Sequence, residues 1–316
     1  MIVGYTPATL EEIEAARERI AGTVIRSPLV HFEKGIYLKL ESLQPIGSFK
    51  LRGAGNALAL AGEEQLAAGI WTASAGNMAQ AVAWHARERG LPCAVVVPET
   101  APQTKLNAIG RLGGEIVKVP PETWFDVFRM RAYPGMDGFF VHPFSDPAVI
   151  AGNGTIGLEI AEDLPGVSAV IVPYGGGGLI SGIGSALRAV APRCKVYACE
   201  VETAAPLAPS LAAGEPVEVE HGRSFVDGIG GPRVFPEMFE LVRRLVEGSI
   251  VLTLEEVANA VRMLAERSRV VAEGAGAAPL AAALTGRAGG GNVVCVVSGG
   301  NIDSEVFRTI LAGQTP

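Results

Sequence analysis

Apolar positions in the first part of the chain repeat at helical spacing. Residues 9–12 read Thr-Leu-Glu-Glu, which is a capping box at a helix start. Behind it, apolar side chains recur at Leu10, Ile13, Ala16 and Ile20. This spacing predicts a first helix that ends near Ala21. Further helical patterns occupy residues 53–60 and 78–89, begin near residue 179, and follow a second capping box at residues 253–256.

Short, mostly apolar runs alternate with these helical patterns. They occupy residues 35–40, 69–73, 93–97, 115–119, 138–141, 169–172, 195–199 and 292–297. Such runs are typical of parallel strands that are covered by helices on both faces. The pattern therefore predicts an α/β protein. Residues 205–239 are rich in Pro, Gly and charge and are predicted to form long loops.

The composition narrows the class of protein. The chain has 316 residues, more than the roughly 100–200 of one ordinary domain, so two lobes are expected. With 48% hydrophobic residues it has ample material for a buried core. A net charge of −7 provides no basic surface for a phosphate backbone, so we expect small molecules rather than nucleic acid as partners.

Targeting and redox signals favour a cytoplasmic location. The first residues lack a cationic region before an apolar stretch, so no secretory signal is predicted. Residues 164–187 carry no charge, but their prolines and glycines predict a strand, a loop and a helix rather than a membrane span. The cysteines lie in apolar surroundings and are predicted to be reduced core residues; they are Cys93, Cys194, Cys199 and Cys295.

A lysine at a helix start is the first candidate for chemistry. Lys50 lies in Ser-Phe-Lys-Leu-Arg-Gly and precedes an alanine-rich helical run. The helix dipole and desolvation by Phe49 and Leu51 would lower its pKa, as a Schiff-base nucleophile requires. From this segment alone, a solvated surface lysine is the alternative.

Four consecutive glycines, residues 175–178, lie between an apolar strand and a helix. Free backbone N–H groups at a helix N-terminus form an anion cradle, and phosphate is the common occupant. The segment lacks the Gly-Lys-Ser/Thr ending of a P-loop. Glu200 lies near the offset of a ribose-binding acid, so a nucleotide site stays an alternative, as does a flexible turn.

Two further strand ends open into polar turns. The turn at residues 74–77 reads Ser-Ala-Gly-Asn and could bind a carboxylate through its N–H groups, or Ser74 or Asn77 could merely cap a helix. The turn at residues 298–301 reads Ser-Gly-Gly-Asn. Loops at the carboxyl ends of parallel strands meet at one edge of the sheet, which predicts a single site there.

Taken together, these segments resemble the fold-type II pyridoxal phosphate enzymes, which are tryptophan synthase beta-like. Within them they are similar to the threonine and serine dehydratases and their serine racemase relatives. The resemblance also includes His-Pro-Phe at residues 142–144, Ala-Gly-Asn-Gly-Thr-Ile-Gly-Leu-Glu at residues 151–159, and Asp-Gly-Ile at residues 227–229. It covers nearly the whole chain and implies two lobes, each with a mostly parallel sheet.

The resemblance implies a role for each matching residue. Lys50 would form the Schiff base with pyridoxal 5'-phosphate, Phe49 would flank the ring, Asn77 would bond the ring hydroxyl, and Ser298 would bond the ring nitrogen. Gly228 and Glu273 would line the ring. The phosphate would be held by the backbone N–H groups of Gly175, Gly176, Gly177, Gly178 and Leu179. The substrate carboxylate would be held by Ser74, Ala75, Gly76 and Asn77.

The implied reaction is loss of water from L-threonine or L-serine, which gives a 2-oxo acid and ammonia. The implied domains are a large cofactor-binding one, residues 1–50 and 141–316, and a small mobile one, residues 51–140. A homodimer or homotetramer is also implied. Serine racemase, a hydroxyaspartate or phenylserine dehydratase, and a non-catalytic binding protein stay open as alternatives. Cysteine synthase relatives carry Asp where Leu51 stands.

Three positions depart from the pattern of these relatives. Met78 stands where His is frequent, and Asn153 where Gln is frequent. Racemase-like relatives bind a cation near Glu200 and the Ala204 carbonyl, but Pro206 replaces their further carboxylate, so a monovalent ion or none is expected rather than a divalent metal. His85, among Ala and Trp in a helical run, is predicted to be a packing residue.

Overall fold

The computed structural model describes residues 5–316 as helices that surround two sheets. The helices are α1 (Leu10–Ile20), α2 (Lys50–Leu60), α3 (Glu63–Leu66), α4 (Asn77–Arg89), α5 (Gln103–Arg111), α6 (Pro121–Met130), α7 (Pro147–Asp163), α8 (Gly178–Val190), α9 (Leu207–Ala213), α10 (Pro236–Val242), α11 (Leu254–Met263), α12 (Gly274–Leu284) and α13 (Ser304–Leu311). The strands are β1 (Leu29–Glu33), β2 (Ile36–Leu40), β3 (Ile70–Ala73), β4 (Cys93–Pro98), β5 (Glu115–Val119), β6 (Phe139–Phe140), β7 (Ala169–Pro173), β8 (Lys195–Val201), β9 (Gly248–Leu252) and β10 (Val293–Val297).

The two sheets are almost entirely parallel. The larger has six strands in the order β1-β2-β10-β7-β8-β9, and the smaller has four in the order β5-β4-β3-β6. Only the β1–β2 pair is antiparallel among the described strand pairs. The expectation of an α/β fold with two mostly parallel sheets is confirmed. The division at residues 50 and 140, with a mobile small domain, stays a prediction.

Local patterns and structure agree for most of the elements that the sequence indicated. The capping boxes at Thr9 and Thr253 both form, and the uncharged stretch at residues 164–187 contains β7 and most of α8. The expectation of long loops at residues 205–239 holds for residues 214–235, but α9 lies within the range and α10 begins there. Within residues 5–316, no helix is long and apolar enough to cross a membrane.

The cysteines are free, as expected, but one lies outside the core. Cys93, Cys199 and Cys295 are buried, whereas Cys194 is only half-buried in the turn that precedes β8. Cys194 lies between the charged residues Arg193 and Lys195, in a turn where the chain reverses at the surface, so its neighbours favour solvent rather than the core.

A buried ion network attaches the start of α2 to the large sheet and to α7. Arg52 is 1% exposed, and its guanidinium forms ion pairs with Glu41 at 2.8 Å and Glu159 at 2.6 Å. Lys39, which is also fully buried, pairs with Glu159 at 2.6 Å. Two cations and two carboxylates therefore neutralise each other directly behind the first turn of α2, where Lys50 lies.

Candidate active site

Lys50 is the first residue of α2, and its ammonium faces the turn that follows β6. Nζ donates a hydrogen bond to the Pro143 carbonyl at 2.5 Å and lies 5.0 Å from the centre of the Phe49 ring. Burial lowers the pKa of Lys50 to about 8, although the Glu273 carboxylate raises it. The residue as a whole is half-buried, and its desolvated amine deprotonates more readily than that of a solvated surface lysine.

The four glycines form a tight loop into α8 between β7 and the Phe144 turn. Gly177 has φ +88°, which a side chain rarely adopts, and a Cβ at Gly178 would lie 2.7 Å from the Phe144 carbonyl oxygen. A Cβ at Gly176 would overlap the Phe144 ring. Only glycine fits at residues 176, 177 and 178, and the N–H groups of the loop lie at the start of a 13-residue helix, the arrangement that favours an anion.

Asn77, Glu273 and Asn301 form a hydrogen-bonded chain across the site. Asn77 Nδ2 donates to Glu273 Oε1 at 2.8 Å, and Asn77 Oδ1 accepts from Asn301 Nδ2 at 2.7 Å. Burial raises the pKa of Glu273 to about 7, and the nearby Asp227 carboxylate adds to the shift. The small sheet, through α4, and the large sheet, through the β10 loop, therefore meet at the Asn77 carboxamide, which also bonds Glu273.

Ser298 and Gly228, the remaining predicted site residues, lie next to the Lys50 segment and to Glu273 respectively. The Phe49 N–H donates to the Ser298 carbonyl at 3.0 Å, which joins the lysine segment to the end of β10. A Cβ at Gly228 would lie 3.4 Å from Glu273 Oε1, and one at Gly175 would lie 3.5 Å from the Gly228 carbonyl oxygen. Leu179, in the first turn of α8, belongs to the same apolar cluster as Phe49.

The turn at residues 74–77 lies at the carboxyl end of β3, as expected, but neither suggested cap forms. Gly76 is the N-cap residue of α4 and makes no side-chain cap, while the Ser74 hydroxyl accepts the Gly76 N–H at 3.2 Å. Ala75 packs against the apolar core of the small sheet, together with the buried Met78.

Glu200 and His85 belong to other parts of the fold. The Glu200 carboxylate accepts hydrogen bonds from the Leu207 and Ala208 N–H groups at 2.7 and 2.9 Å and from the Ser249 hydroxyl at 2.6 Å. These contacts hold the start of α9 and do not support the nucleotide alternative. His85 is 1% exposed and its Nε2 lies 2.9 Å from the Leu51 carbonyl oxygen, which confirms a packing role. The expectation of a monovalent ion or none near Glu200 stays a prediction.

Sequence reasoning missed three contacts that shape the site. The Pro143 carbonyl on Lys50, the Phe144 ring against the glycine loop, and the pairing of Asn77 with Asn301 were not predicted. The resemblance includes both segments, His-Pro-Phe and Ser-Gly-Gly-Asn, but implies no role for Pro143, Phe144 or Asn301. An ion pair of Lys105 with Asp227, at 2.6 Å, also links α5 to the loop before Gly228.

Comparison with known proteins agrees with this geometry. The family described as "Pyridoxal-phosphate dependent enzyme" matches residues 20–299. An L-threonine ammonia-lyase of Thermotoga maritima is 41% identical over 96% of this chain and 78% of its own length. The structure of maize serine racemase matches with TM-score 0.89 and 32% identity, over 97% of this chain and 98% of that one. The processed threonine deaminase isoform 2 from Solanum lycopersicum matches with TM-score 0.84 and 30% identity, over 99% and 97%.

These matches confirm the family, the fold type and the cofactor class that the sequence motifs indicated. A glycine loop at a helix start and a lysine of lowered pKa contact the same turn, at Phe144 and Pro143, and together they fit a phosphorylated aldehyde cofactor. The chain belongs to the family of pyridoxal-phosphate dependent enzymes.

Proposed function

We propose that this protein is a dehydratase that removes water from L-threonine, L-serine or both, and releases a 2-oxo acid and ammonia. The observation that carries the proposal is the position of Lys50: its amine bonds the Pro143 carbonyl in the turn that packs against the glycine loop, and it lies near enough to Glu273, the partner of Asn77, for that carboxylate to raise its pKa. The names of relatives at about 40% identity, L-threonine ammonia-lyases of Thermotoga maritima and Geobacter sulfurreducens, support the substrate class.

The residues present are suited to the cofactor. Lys50 would hold its aldehyde carbon, residues 175–179 its phosphate, Phe49 and Gly228 its ring faces, and Ser298 its ring nitrogen. The shape of the glycine loop also fits a phosphate, because the loop leaves no room for a Cβ at Gly176 or Gly178. When bound, the cofactor withdraws electrons from the substrate α-carbon and so makes its proton acidic.

Lys50 is suited to accept that proton. With a pKa of about 8, roughly a tenth of its free amine is neutral at pH 7. A lysine at the ordinary value of 10.5 would be neutral about 300-fold less often. The N–H groups of residues 74–77 would hold the substrate carboxylate and orient its α-hydrogen toward Lys50. The Asn77 side chain is fixed by Asn301 and points into the site.

Substitution of Lys50 tests this function. Lys50→Ala should abolish ammonia release from L-threonine and L-serine while the far-ultraviolet circular dichroism stays unchanged, because one amine both anchors the cofactor and accepts the proton. Lys118→Ala, at an exposed lysine of β5, is the matched control and should retain full activity. Substantial ammonia release by Lys50→Ala would refute the assignment.

A substrate panel separates the dehydratase from its alternatives. A racemase needs a second acid or base on the substrate face opposite the lysine, and the resemblance places that group at Ala75, whose methyl carries no transferable proton. We therefore expect pyruvate from L-serine and almost no D-serine by chiral chromatography. Hydroxyaspartate and phenylserine belong in the same panel, and a protein inert toward all of them while binding the cofactor would favour the binding-protein alternative.

The proposal also includes an oligomeric state, a cellular location and a movement of the small domain. We propose a homodimer or homotetramer in the cytoplasm, with residues 51–140 closing over the substrate to exclude water. The Lys105–Asp227 ion pair would join the moving part to the loop that lines the ring in the closed state.

A further inference from the structure

His142 is a buried histidine that the proposed reaction does not use. It is 2% exposed and lies among aromatic rings, with ring centres 4.7 Å from Phe144, 5.9 Å from Phe140 and 6.1 Å from Phe128. Burial lowers its pKa to about 3, and the charges of Arg131 and Lys50 add to the shift. The imidazole is therefore neutral throughout the working pH range of ordinary proteins.

The neutral imidazole organises the turn that follows it. Its Nδ1 accepts hydrogen bonds from the Phe144 N–H at 3.3 Å and the Ser145 N–H at 2.8 Å. Since Nδ1 is an acceptor, the ring proton is on Nε2. One side chain thus closes the four-residue turn 142–145 from within, as an N-capping side chain closes the first turn of a helix.

This turn contacts two parts of the site at once. The Pro143 carbonyl accepts the Lys50 ammonium at 2.5 Å, and the Phe144 backbone and ring pack against Gly178 and Gly176. Lys50 and the glycine loop, residues 175–178, are far apart in the sequence, and this turn connects them in space. A change in the turn would therefore displace both the lysine amine and the wall of the glycine loop.

We propose that His142 is a positioning residue for Lys50: through Nδ1 it fixes the 142–145 turn, and the Pro143 carbonyl of that turn holds the free lysine amine in place beside the glycine loop. The proposal rests on the proposed role of Lys50. Whenever Lys50 is released from the cofactor, the Pro143 carbonyl would bind its amine. The amine then stays within reach of the substrate, whose proton it accepts.

The pKa of Lys50 should respond to the contact with the Pro143 carbonyl. A carbonyl acceptor stabilises the ammonium form, because the charged donor makes the stronger hydrogen bond. The Glu273 carboxylate also faces the amine and raises its pKa, while burial lowers it. Loss of the Pro143 contact, with Glu273 and burial unchanged, should lower the pKa of Lys50 by about one unit.

Two variants of nearly equal size separate the hydrogen bonds of His142 from its volume. In His142→Asn the carboxamide oxygen can occupy the place of Nδ1 and accept the same two N–H groups, as in an Asx turn. In His142→Leu no acceptor remains. Ile109→Ala, in the apolar core of the small sheet and away from the turn, controls for general destabilisation.

The experiment measures the reactivity of Lys50 directly in the full-length protein freed of cofactor. Each variant is reductively methylated with formaldehyde and cyanoborohydride between pH 6 and 10, and the Lys50 peptide is quantified by mass spectrometry against that of the exposed Lys118. Only the neutral amine reacts, so the midpoint of the profile is the pKa. Circular dichroism of each variant confirms folding.

We expect a midpoint near 8 for the unsubstituted protein, His142→Asn and Ile109→Ala, and a midpoint lower by about one unit for His142→Leu. An unchanged midpoint in a folded His142→Leu would overturn the proposal, as would a His142→Asn profile identical to a shifted His142→Leu profile. Trapping added pyridoxal phosphate with borohydride tests the proposed function separately, because a cofactor attached to another lysine would refute the role of Lys50 whatever the methylation profile shows.

Discussion

Removal of the Arg52 side chain should strongly destabilise the protein. Its guanidinium makes six hydrogen bonds, two to Glu41, two to Glu159, and one each to Thr155 and the Ile25 carbonyl. In Arg52→Met, Glu159 keeps its ion pair with Lys39, but Glu41, which is 0% exposed, loses its guanidinium partner. A buried carboxylate without its cation costs about 3–5 kcal/mol.

That loss is large compared with the free energy of unfolding of native proteins, which is roughly 5–15 kcal/mol. A loss of about 3–5 kcal/mol would raise the unfolded fraction about 100- to 5,000-fold. Equilibrium unfolding in urea, followed by tryptophan fluorescence, measures the change in free energy of unfolding. The double variant Arg52→Met/Glu41→Gln should recover part of it, because the orphaned charge is removed as well.

The pH dependence of the stability difference between Arg52→Met and the unsubstituted protein gives a second, independent check of the role of Glu41. Burial raises the pKa of Glu41, but the charge and hydrogen bonds of Arg52 outweigh it and hold the pKa below its usual range. In the unsubstituted protein, this carboxyl contributes stability that is lost as the pH falls. In Arg52→Met its pKa should be raised, so the folded state binds the extra proton and the deficit should shrink from pH 7 to pH 5. A loss below 1 kcal/mol, or a deficit that grows as the pH falls, would refute this account of the network.

Three further substitutions have defined outcomes. Gly176→Ala should lower the free energy of unfolding by about 1–3 kcal/mol and weaken cofactor binding, since its Cβ would overlap the Phe144 ring. Gly110→Ala is the control and should not destabilise, because the space around Gly110 is open. Equal stability of the two variants in urea would contradict this. Glu273→Gln should shift the pH midpoint of cofactor capture by Lys50 downward, because the carboxylate raises the pKa of Lys50, and an upward shift in the visible absorption titration would oppose it. Asn153→Leu should stabilise by about 1–3 kcal/mol in urea unfolding, since both polar atoms of this buried amide lack partners among the described residues; destabilisation would mean that the amide has a polar partner after all.

Local sequence patterns determined much of the architecture. The alternation of apolar runs and helical periods predicted the parallel strands, and Lys50, the glycine loop and the turn at residues 74–77 were each recognisable from neighbouring residues. The reason is that strand and helix periods, capping boxes and glycine-rich turns are written within a few positions of each other. Elements with weaker local signals, such as β1, β9 and the short α9, were missed for the same reason.

The tertiary structure alone decided how these loops meet. The order of the large sheet inserts β10 between β2 and β7, which brings Ser298 next to the Lys50 segment, and no local period encodes that order. Asn77 and Glu273 are 196 positions apart, and Lys50 and the Pro143 carbonyl 93 positions apart. The lowered pKa of Lys50 and the raised pKa of Glu273 follow from burial, which depends on the packing of both sheets around the site. The sequence thus specified the chemical groups, and long-range packing set the distances between them and the ionisation that the proposed reaction needs.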